Sequence, residues 1–155
     1  MRREDRQRDE AFGRAVLDRA EYGVLSVTDA QGAPYAVPLS IVRVDNAIYF
    51  HSAQQGKKTD ALRAHPEVCL VAVGRTHVEE KKFTTKYESC MVRGRVSEVT
   101  DRAQKIRALR ALCAKYTPNH SEKEFDEAMQ RSLAVTAIWR MEIAELTAKS
   151  KGYIE

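Results

Sequence analysis

Four polar residues that suit phosphate binding lie close together in the middle of the chain: His51, Ser52 and the adjacent pair Lys57-Lys58. The histidine and serine end an apolar strand pattern, and the lysines follow a glycine at the predicted start of a short helix. A helix N-terminus attracts anions through its free N–H groups and its dipole. Lysines there disfavour the helix unless an anion neutralises them, so the pattern indicates a phosphate site with the Ser52 and Thr59 hydroxyls as further donors. A solvated lysine pair in a loop produces the same pattern.

Other kinds of site receive less support from the sequence. No G-x-G-x-x-G or Walker motif is present, so a Rossmann or P-loop nucleotide site is not expected. Cys69, Cys90 and Cys113 are odd in number and form no C-x-x-C motif, which predicts reduced thiols and no metal site. With a charged beginning and no long apolar run, the chain is expected to be cytoplasmic, without contact to a membrane.

The size and charge of the chain narrow the function classes further. Its 155 residues suit one domain, covering 1–155, and the hydrophobic share of 43% provides a core. The net charge of +4 arises from positive residues interspersed with acidic ones, without an aromatic-studded basic stripe. We therefore expect no nucleic-acid partner, and the local excess of cations favours a phosphorylated small ligand.

The elements that must position these residues are mostly strands. Period-2 or continuous apolar patterns predict six strands, and helical spacing predicts helices over Asp9–Ala20, Lys57–His65 and Asp101–Tyr116 and one more after the capping box at Ser121. The predicted strands are Tyr22–Thr28, Tyr35–Ile41, Ala47–Ser52, Val68–Val73, Tyr87–Val99 and Ala134–Leu146. Pro38 indicates an edge strand or a bulge, and the charged segment Arg75–Lys86 is expected to be a loop. Six strands with one late helical hairpin predict a mainly β fold, a small antiparallel barrel with peripheral α-helices.

Seven short motifs, in order and in register, resemble one known family. They are Met1-Arg2-Arg3 with Asp5-Arg6, Ala20-Glu21-Tyr22-Gly23, Pro34-Tyr35-Ala36-Val37-Pro38, His51-Ser52-Ala53 with Gly56, Lys58 and Leu62, Tyr87-Glu88-Ser89 with Gly94-Arg95, Ala111-Leu112 with Lys115-Tyr116, and Ile143-Ala144-Glu145-Leu146-Thr147. Together they resemble the pyridoxamine 5′-phosphate oxidase-like superfamily, the FMN-binding split barrels, and most of all its 5-nitroimidazole-resistance (nitroimidazole reductase) branch. The resemblance implies a six-stranded antiparallel split β-barrel.

The resemblance also implies an FMN site between the two subunits of a homodimer. The strand with Val37, Pro38, Leu39, Ser40 and Ile41 would contact the isoalloxazine edge through backbone groups. His51 and Ser52 would lie near the ribityl phosphate and ring, Lys57 and Lys58 would bind the phosphate, and Ser89 would offer a polar contact. The strand around Trp139, with Lys149, would approach the partner's flavin, although Trp139 is equally typical of a core or interface aromatic.

The implied activity is an FMN-dependent oxidoreductase that takes electrons from a nicotinamide or another reductant and passes them to a nitro compound or quinone. His51 is the candidate proton donor, because its unperturbed pKa lies near neutrality, or it only hydrogen-bonds the cofactor. The carboxy-terminal segment with Lys149-Ser150-Lys151-Gly152-Tyr153 lacks the Arg-x-His element that true pyridoxamine phosphate oxidases carry there, so vitamin B6 oxidation is not expected. The alternatives are a non-catalytic protein that binds a flavin, haem or deazaflavin, and a structural dimer without a cofactor.

Overall fold

A computed structural model describes residues 3–153 of the chain. Met1 and Arg2, which belong to the first of the seven motifs, lie outside the described residues. Eight strands and four α-helices are present in this part of the chain. In chain order they are β1 (Gln7–Arg8), α1 (Glu10–Arg19), β2 (Gly23–Thr28), β3 (Pro34–Leu39), β4 (Val42–Val44), β5 (Ala47–Ala53), α2 (Lys57–Ala64), β6 (Glu67–Glu79), β7 (Thr84–Glu98), α3 (Arg102–Tyr116), α4 (Glu122–Ser132) and β8 (Thr136–Lys151).

All the strand pairs are antiparallel and belong to one sheet. The strand order is β3-β2-β6-β7-β8-β5-β4, and β1 pairs with the far end of β8. The hydrogen-bonded path ends at β3 on one side and β4 on the other, so the sheet does not close. Yet only Ser40 and Ile41 separate these two edge strands in the chain. Three residue steps span at most about 11 Å, so the sheet must curl until its edges almost meet, as in a split barrel.

The mainly β split-barrel prediction is confirmed, with eight strands instead of six. The short strands β1 and β4 were missed, because two or three residues are too few for a periodic signal. The predicted loop Arg75–Lys86 is wrong: most of it extends β6 and β7 into a long hairpin that turns through Glu80–Lys82. This arm buries neither face against the core, so its strands show no apolar alternation.

The core lies inside the curled sheet and is covered on one side by α1. Phe50, Leu70 and Val92 project inward from three strands and are completely buried, and α1 adds Val16 and Leu17. On the outer side of the sheet, Ala108 of α3 packs with Val99 and Ile138 in a second, smaller cluster. The helix starts follow the sequence signals, since Asp9 caps α1 and the predicted capping box at Ser121 is present. None of the helices described is long and apolar enough to cross a bilayer.

Candidate functional site

His51 and the charged Lys58 lie near each other where β5 ends and α2 begins. Lys58 is half-buried, and among residues 3–153 it makes no hydrogen bond or ion pair. Burial lowers the pKa of Lys58 below its ordinary value. Partial burial lowers the pKa of His51, and the nearby charge of Lys58 lowers it further by a smaller amount. The side chain of His51 still remains accessible to solvent. An unpaired, half-buried ammonium group beside an imidazole is a place where an anion gains electrostatic energy.

Of the two adjacent lysines, Lys57 has partners within the chain and Lys58 has none among residues 3–153. The Nζ atom of Lys57 lies 3.3 Å from an Asp29 carboxylate oxygen and 4.9 Å from the centre of the Tyr35 ring. Asp29 itself is nearly buried and accepts the backbone N–H groups of Gln31 and Ala33, so it holds the turn between β2 and β3. Lys57 is therefore partly neutralised within the chain, and Lys58 is the lysine with charge to offer a ligand.

The hydroxyl groups of Ser52 and Thr59 are engaged inside the protein. Both residues are buried, and both hydroxyls donate to the carbonyl oxygen of Ala53 at 2.8 Å. Ser52 Oγ also accepts a hydrogen bond from Trp139 Nε1 at 2.9 Å. Trp139 is 2% exposed, so its side chain belongs to the core of its own chain. In this arrangement the indole fixes the loop between β5 and α2 and leaves no hydroxyl directed at a ligand.

The predicted flavin-edge segment lies at the open edge of the sheet. Along it the side chains alternate: Leu39 and Ile41 are buried, Val37 packs against the core, and Pro38 and Ser40 are exposed. Pro38 indicated an edge strand or a bulge, and the structure shows the edge, because within residues 3–153 β3 pairs only with β2. Half of the backbone N–H and C=O groups of an edge strand have no neighbouring strand to bond.

A cleft of about 180 Å³ separates this segment from α3. Ser40 and His51 line it on the sheet side, and Leu112, Cys113 and Tyr116 line it on the helix side. The structure thus brings the open-edge segment, His51 and Lys58 to one region. The sequence indicated no role for Tyr116 beyond its place at the end of a predicted helix and in one of the seven motifs.

Ser89 and Lys149 occupy a second, separate surface. They pair with each other across β7 and β8 and line an open cavity of about 340 Å³ with Val71, Met91 and Thr147. On β8, Lys149 is eleven residues from Ile138, the residue that pairs with His51. That separation is roughly 35 Å of strand. Within one chain, therefore, Ser89 is too distant to share a ligand with His51 and Lys58.

A buried carboxylate that the sequence analysis left without a role lies beside this second surface. Glu88 is completely buried and accepts hydrogen bonds from Arg19 Nε at 3.0 Å, from Arg75 Nε at 2.7 Å and from the Arg75 backbone N–H at 3.1 Å. Gly74 and Arg75 stand together opposite Glu88 in a bulge, where a Cβ on Gly74 would lie 2.5 Å from the carboxylate. The cluster ties α1 to the sheet.

Metal binding has no support among the residues from 3 to 153, because nowhere do three His, Cys, Asp or Glu side chains gather around one point. The three cysteines are free thiols. Burial raises the pKa of Cys90 to about 12, so this thiol stays protonated and unreactive.

The family model for pyridoxamine 5′-phosphate oxidase matches residues 9–150, which is nearly the whole chain. The chain belongs to the pyridoxamine 5′-phosphate oxidase family. The match includes both surfaces described above, the open-edge region with His51 and Lys58 and the surface with Ser89 and Lys149. None of the curated proteins matches the sequence.

Solved structures support the fold of this family member. A candidate 5-nitroimidazole antibiotic resistance protein from Bacteroides thetaiotaomicron has a TM-score of 0.78 at 22% identity, over 92% of this chain and 84% of that one. A FAD-binding protein from Mesorhizobium loti has a TM-score of 0.66 at 22% identity, over 95% and 98%. A FAD- and haem-binding protein from Mycobacterium smegmatis has a TM-score of 0.73 at 18% identity, over 97% and 76%. At such identities the likeness concerns the fold.

Proposed function

We propose that this family member binds FMN at the open-edge region and is an oxidoreductase. The observation that carries the proposal is Lys58, a half-buried ammonium group without an ion pair in residues 3–153, beside His51 and at the first turn of α2. Family membership and neighbours that are described as FAD-binding proteins support a flavin as the ligand.

The phosphate of FMN would bind where β5 passes into α2. Gly56 precedes the helix with φ 127° and nothing within 4 Å of the place of a Cβ, so a ligand can approach the backbone there. The first N–H groups of α2 and the ammonium of Lys58 would hold the phosphate oxygens. Because Ser52 and Thr59 hydrogen-bond to Ala53, we assign them the task of shaping this loop, with Lys57 contributing charge at longer range.

The isoalloxazine ring would lie along the open edge from Val37 to Ile41, where backbone groups of β3 have no neighbouring strand. A bound flavin supplies the electron transfer between a reductant, such as a nicotinamide, and an acceptor. The chain's own contribution is to orient the ring and to place hydrogen-bond donors near it. A nitro compound or a quinone is the class of acceptor that we propose.

His51 would supply a proton or a hydrogen bond beside the ring. Its lowered pKa makes the imidazole neutral at pH 7 in the protein alone, and a neutral imidazole is a weak acid. A bound phosphate would offset the charge of Lys58, the smaller cause, and would raise the pKa of His51 by that part alone. Burial, the larger cause, would remain, so the direction of the pKa shift favours a hydrogen bond from a neutral imidazole over proton donation.

The partner in this proposal is a second copy of the chain. Tyr22, Val73 and Met91 are each more than 40% exposed and lie on the face that carries Ser89 and Lys149. An exposed apolar patch of this kind marks an interface. A two-fold dimer would bring Ser89 and Lys149 of one subunit to the flavin held by His51 and Lys58 of the other, which a single chain cannot do. We place the protein in the cytoplasm, where its three thiols stay reduced.

The first experiment is an absorbance spectrum of the purified protein, with the released chromophore identified. Released FMN at about one molecule per subunit, or uptake of added FMN, supports the proposal. A haem or deazaflavin spectrum supports the alternative of a different cofactor, and a protein that is colourless and takes up no FMN contradicts flavin binding. Reduction by a nicotinamide followed by reoxidation with a nitro compound or quinone separates an oxidoreductase from a carrier.

Lys57 and Lys58 provide a matched pair of variants for the phosphate. Lys58→Met is expected to weaken FMN binding about 10- to 100-fold, as loss of a charge-assisted hydrogen bond does. Lys57→Met removes the same charge one residue away and is expected to change affinity less than about threefold, because Asp29 already neutralises it. Equal losses in the two variants would contradict the assignment of the phosphate to Lys58.

A further inference from the structure

A single tyrosine hydroxyl bonds both backbone groups of Ile41, one of the two residues that join the edge strands β3 and β4. The N–H of Ile41 donates to Tyr116 Oη at 2.9 Å, and Tyr116 Oη donates to the carbonyl oxygen of Ile41 at 2.9 Å. Burial raises the pKa of Tyr116, so the hydroxyl keeps the proton that it donates. Ile41 is part of neither β3 nor β4, and Tyr116 supplies the bonds that a neighbouring strand would otherwise make.

Lys115 adds a second tie between the same segment and α1. Its Nζ atom donates to the carbonyl oxygen of Ile41 at 2.9 Å and to that of Leu17 at 3.1 Å. Leu17 lies in the last turn of α1, where carbonyl groups lack helical partners and a cation is favourable. Lys115 is half-buried, and this burial lowers its pKa below the ordinary value. Two adjacent residues at the end of α3 thus connect α1, α3 and the two edge strands.

We propose that Lys115 and Tyr116 are positioning residues that orient the peptide groups at the end of the open edge, from Leu39 to Ile41, for the flavin ring. The inference rests on the proposed function, because it concerns the contact between this edge and the ring. Ile41 lies one residue beyond Ser40, which shares the cleft with His51 and Tyr116. Pairing with β2 holds residues 36–39, so a displaced Ile41 would chiefly turn the peptide groups of Leu39 and Ser40, at the end of the open edge nearest the cleft. The residues act through Ile41, and neither is assigned a contact with the cofactor.

If Ile41 only had to be held in place, burial of its side chain would be sufficient. The Ile41 side chain is 1% exposed and belongs to the main core, so apolar packing already anchors its Cβ. Side-chain packing does not fix the rotation of the peptide groups, whereas three hydrogen bonds to the N–H and C=O of Ile41 do. Orientation of the backbone is what a ring bound through backbone groups requires.

The test compares Tyr116→Phe with Tyr49→Phe in the FMN-loaded protein. Tyr49 is also half-buried beside α3, but its hydroxyl lies next to Arg140, so the control loses the same group away from Ile41. Tyr116→Phe is expected to weaken FMN binding about fivefold, to change the ratio of affinities for oxidised and reduced FMN, and to shift the visible flavin band. The Tyr49→Phe variant is expected to match the wild type in all three measurements.

Amide hydrogen exchange of Ile41 in the FMN-free protein gives a readout that does not depend on the cofactor. Exchange is expected to be faster in Tyr116→Phe than in the wild type. Faster exchange with wild-type affinity, band position and affinity ratio would overturn the inference while the proposed function stood. A wild-type protein that takes up no FMN would overturn both.

Lys115 provides a second pair of variants in case Tyr116→Phe does not fold. Lys115→Met is expected to reproduce the loss in affinity, and Lys115→Arg, which still donates hydrogen bonds, to recover most of it. Equal affinities in both Lys115 variants would also overturn the inference.

Discussion

Replacing Glu88 by glutamine removes the charge of a completely buried carboxylate and almost none of its volume. In the wild type this carboxylate accepts hydrogen bonds from two arginine side chains and from the backbone N–H of Arg75. Glutamine retains one acceptor oxygen and turns an amide NH₂ toward the guanidinium groups, which have only donors. The variant therefore faces Arg19 and Arg75 with a neutral and partly mismatched partner.

The expected loss of stability follows from the burial of each partner. Removing one charge of a buried ion pair costs about 3–5 kcal/mol. The side chains of Arg19 and Arg75 remain 34% and 50% exposed, so both can regain hydration when the charge of Glu88 is lost. We therefore expect Glu88→Gln to lower the free energy of unfolding by about 2–3 kcal/mol. For a chain of this length, that is a fall in Tm of roughly 4–12 °C.

The pH dependence has a defined sign. Burial alone would raise the pKa of Glu88, but the hydrogen bonds from Arg75 and Arg19 outweigh it and hold the pKa below the ordinary value of 4.5. A carboxyl whose pKa is lower in the folded state stabilises the fold above its unfolded-state pKa and loses that contribution as pH falls through the folded-state pKa. The stability difference between wild type and Glu88→Gln should therefore be constant above about pH 5 and shrink below pH 4.5.

The assay is chemical denaturation at pH 7 and at several values between pH 3 and 5, with Glu67→Gln as the matched control. Glu67 pairs with Arg95 at 2.6 Å, but both side chains are more than 60% exposed, and such a pair contributes less than about 1 kcal/mol. If Glu88→Gln were no more destabilising than Glu67→Gln, or if its deficit persisted unchanged at pH 3, the account of the buried cluster would be refuted.

Three further substitutions test other parts of the structure. Ser52→Ala leaves Trp139 Nε1 without its acceptor, so it should cost about 1–3 kcal/mol in denaturation and change the emission of this single tryptophan. Gly94→Ala would place a Cβ 1.8 Å from the carbonyl oxygen of Glu142, and loss of more than about 3 kcal/mol, or of folded protein in circular dichroism, is expected. Phe83→Gly should raise the free energy of unfolding by about 0.5 kcal/mol, seen as a small rise in Tm. Phe83 has a φ of 49°, which glycine adopts without strain, and its side chain is 97% exposed, so the substitution removes no packing.

The sequence allowed prediction of elements that bury one face or begin with a cap. Tyr22–Thr28 is rich in β-forming residues and buries Leu25 and Val27, and Asp9 and Ser121 begin helices, so the predicted boundaries agree with the structure to within about two residues. The β6–β7 arm was missed because its stability comes from backbone pairing and not from a buried face. The sequence of residues 75–86 therefore has many charged residues and no apolar alternation, which predicted a loop.

The candidate site was predictable only in part for a similar reason. Lys57 and Lys58 are adjacent in the sequence, but which of them forms an ion pair depends on tertiary contacts, and a local sequence pattern does not predict those. Asp29 is distant in sequence, yet it pairs with Lys57 and leaves Lys58 alone. The bonds from Tyr116 to Ile41 cross 75 positions of the chain in the same way.

The central place of β8 in the sheet has a consequence for biosynthesis. It is the last of the described strands to leave the ribosome, yet it joins β7 to β5, and Ala47 of β5 pairs with Glu142. The edge of β5 that pairs with β8 therefore stays unpaired while about 100 further residues are synthesised, which takes roughly 5–20 s at usual rates of translation. Edges of this kind associate with other nascent chains. Overproduction at low temperature, with slow initiation, is thus expected to increase the share of native protein.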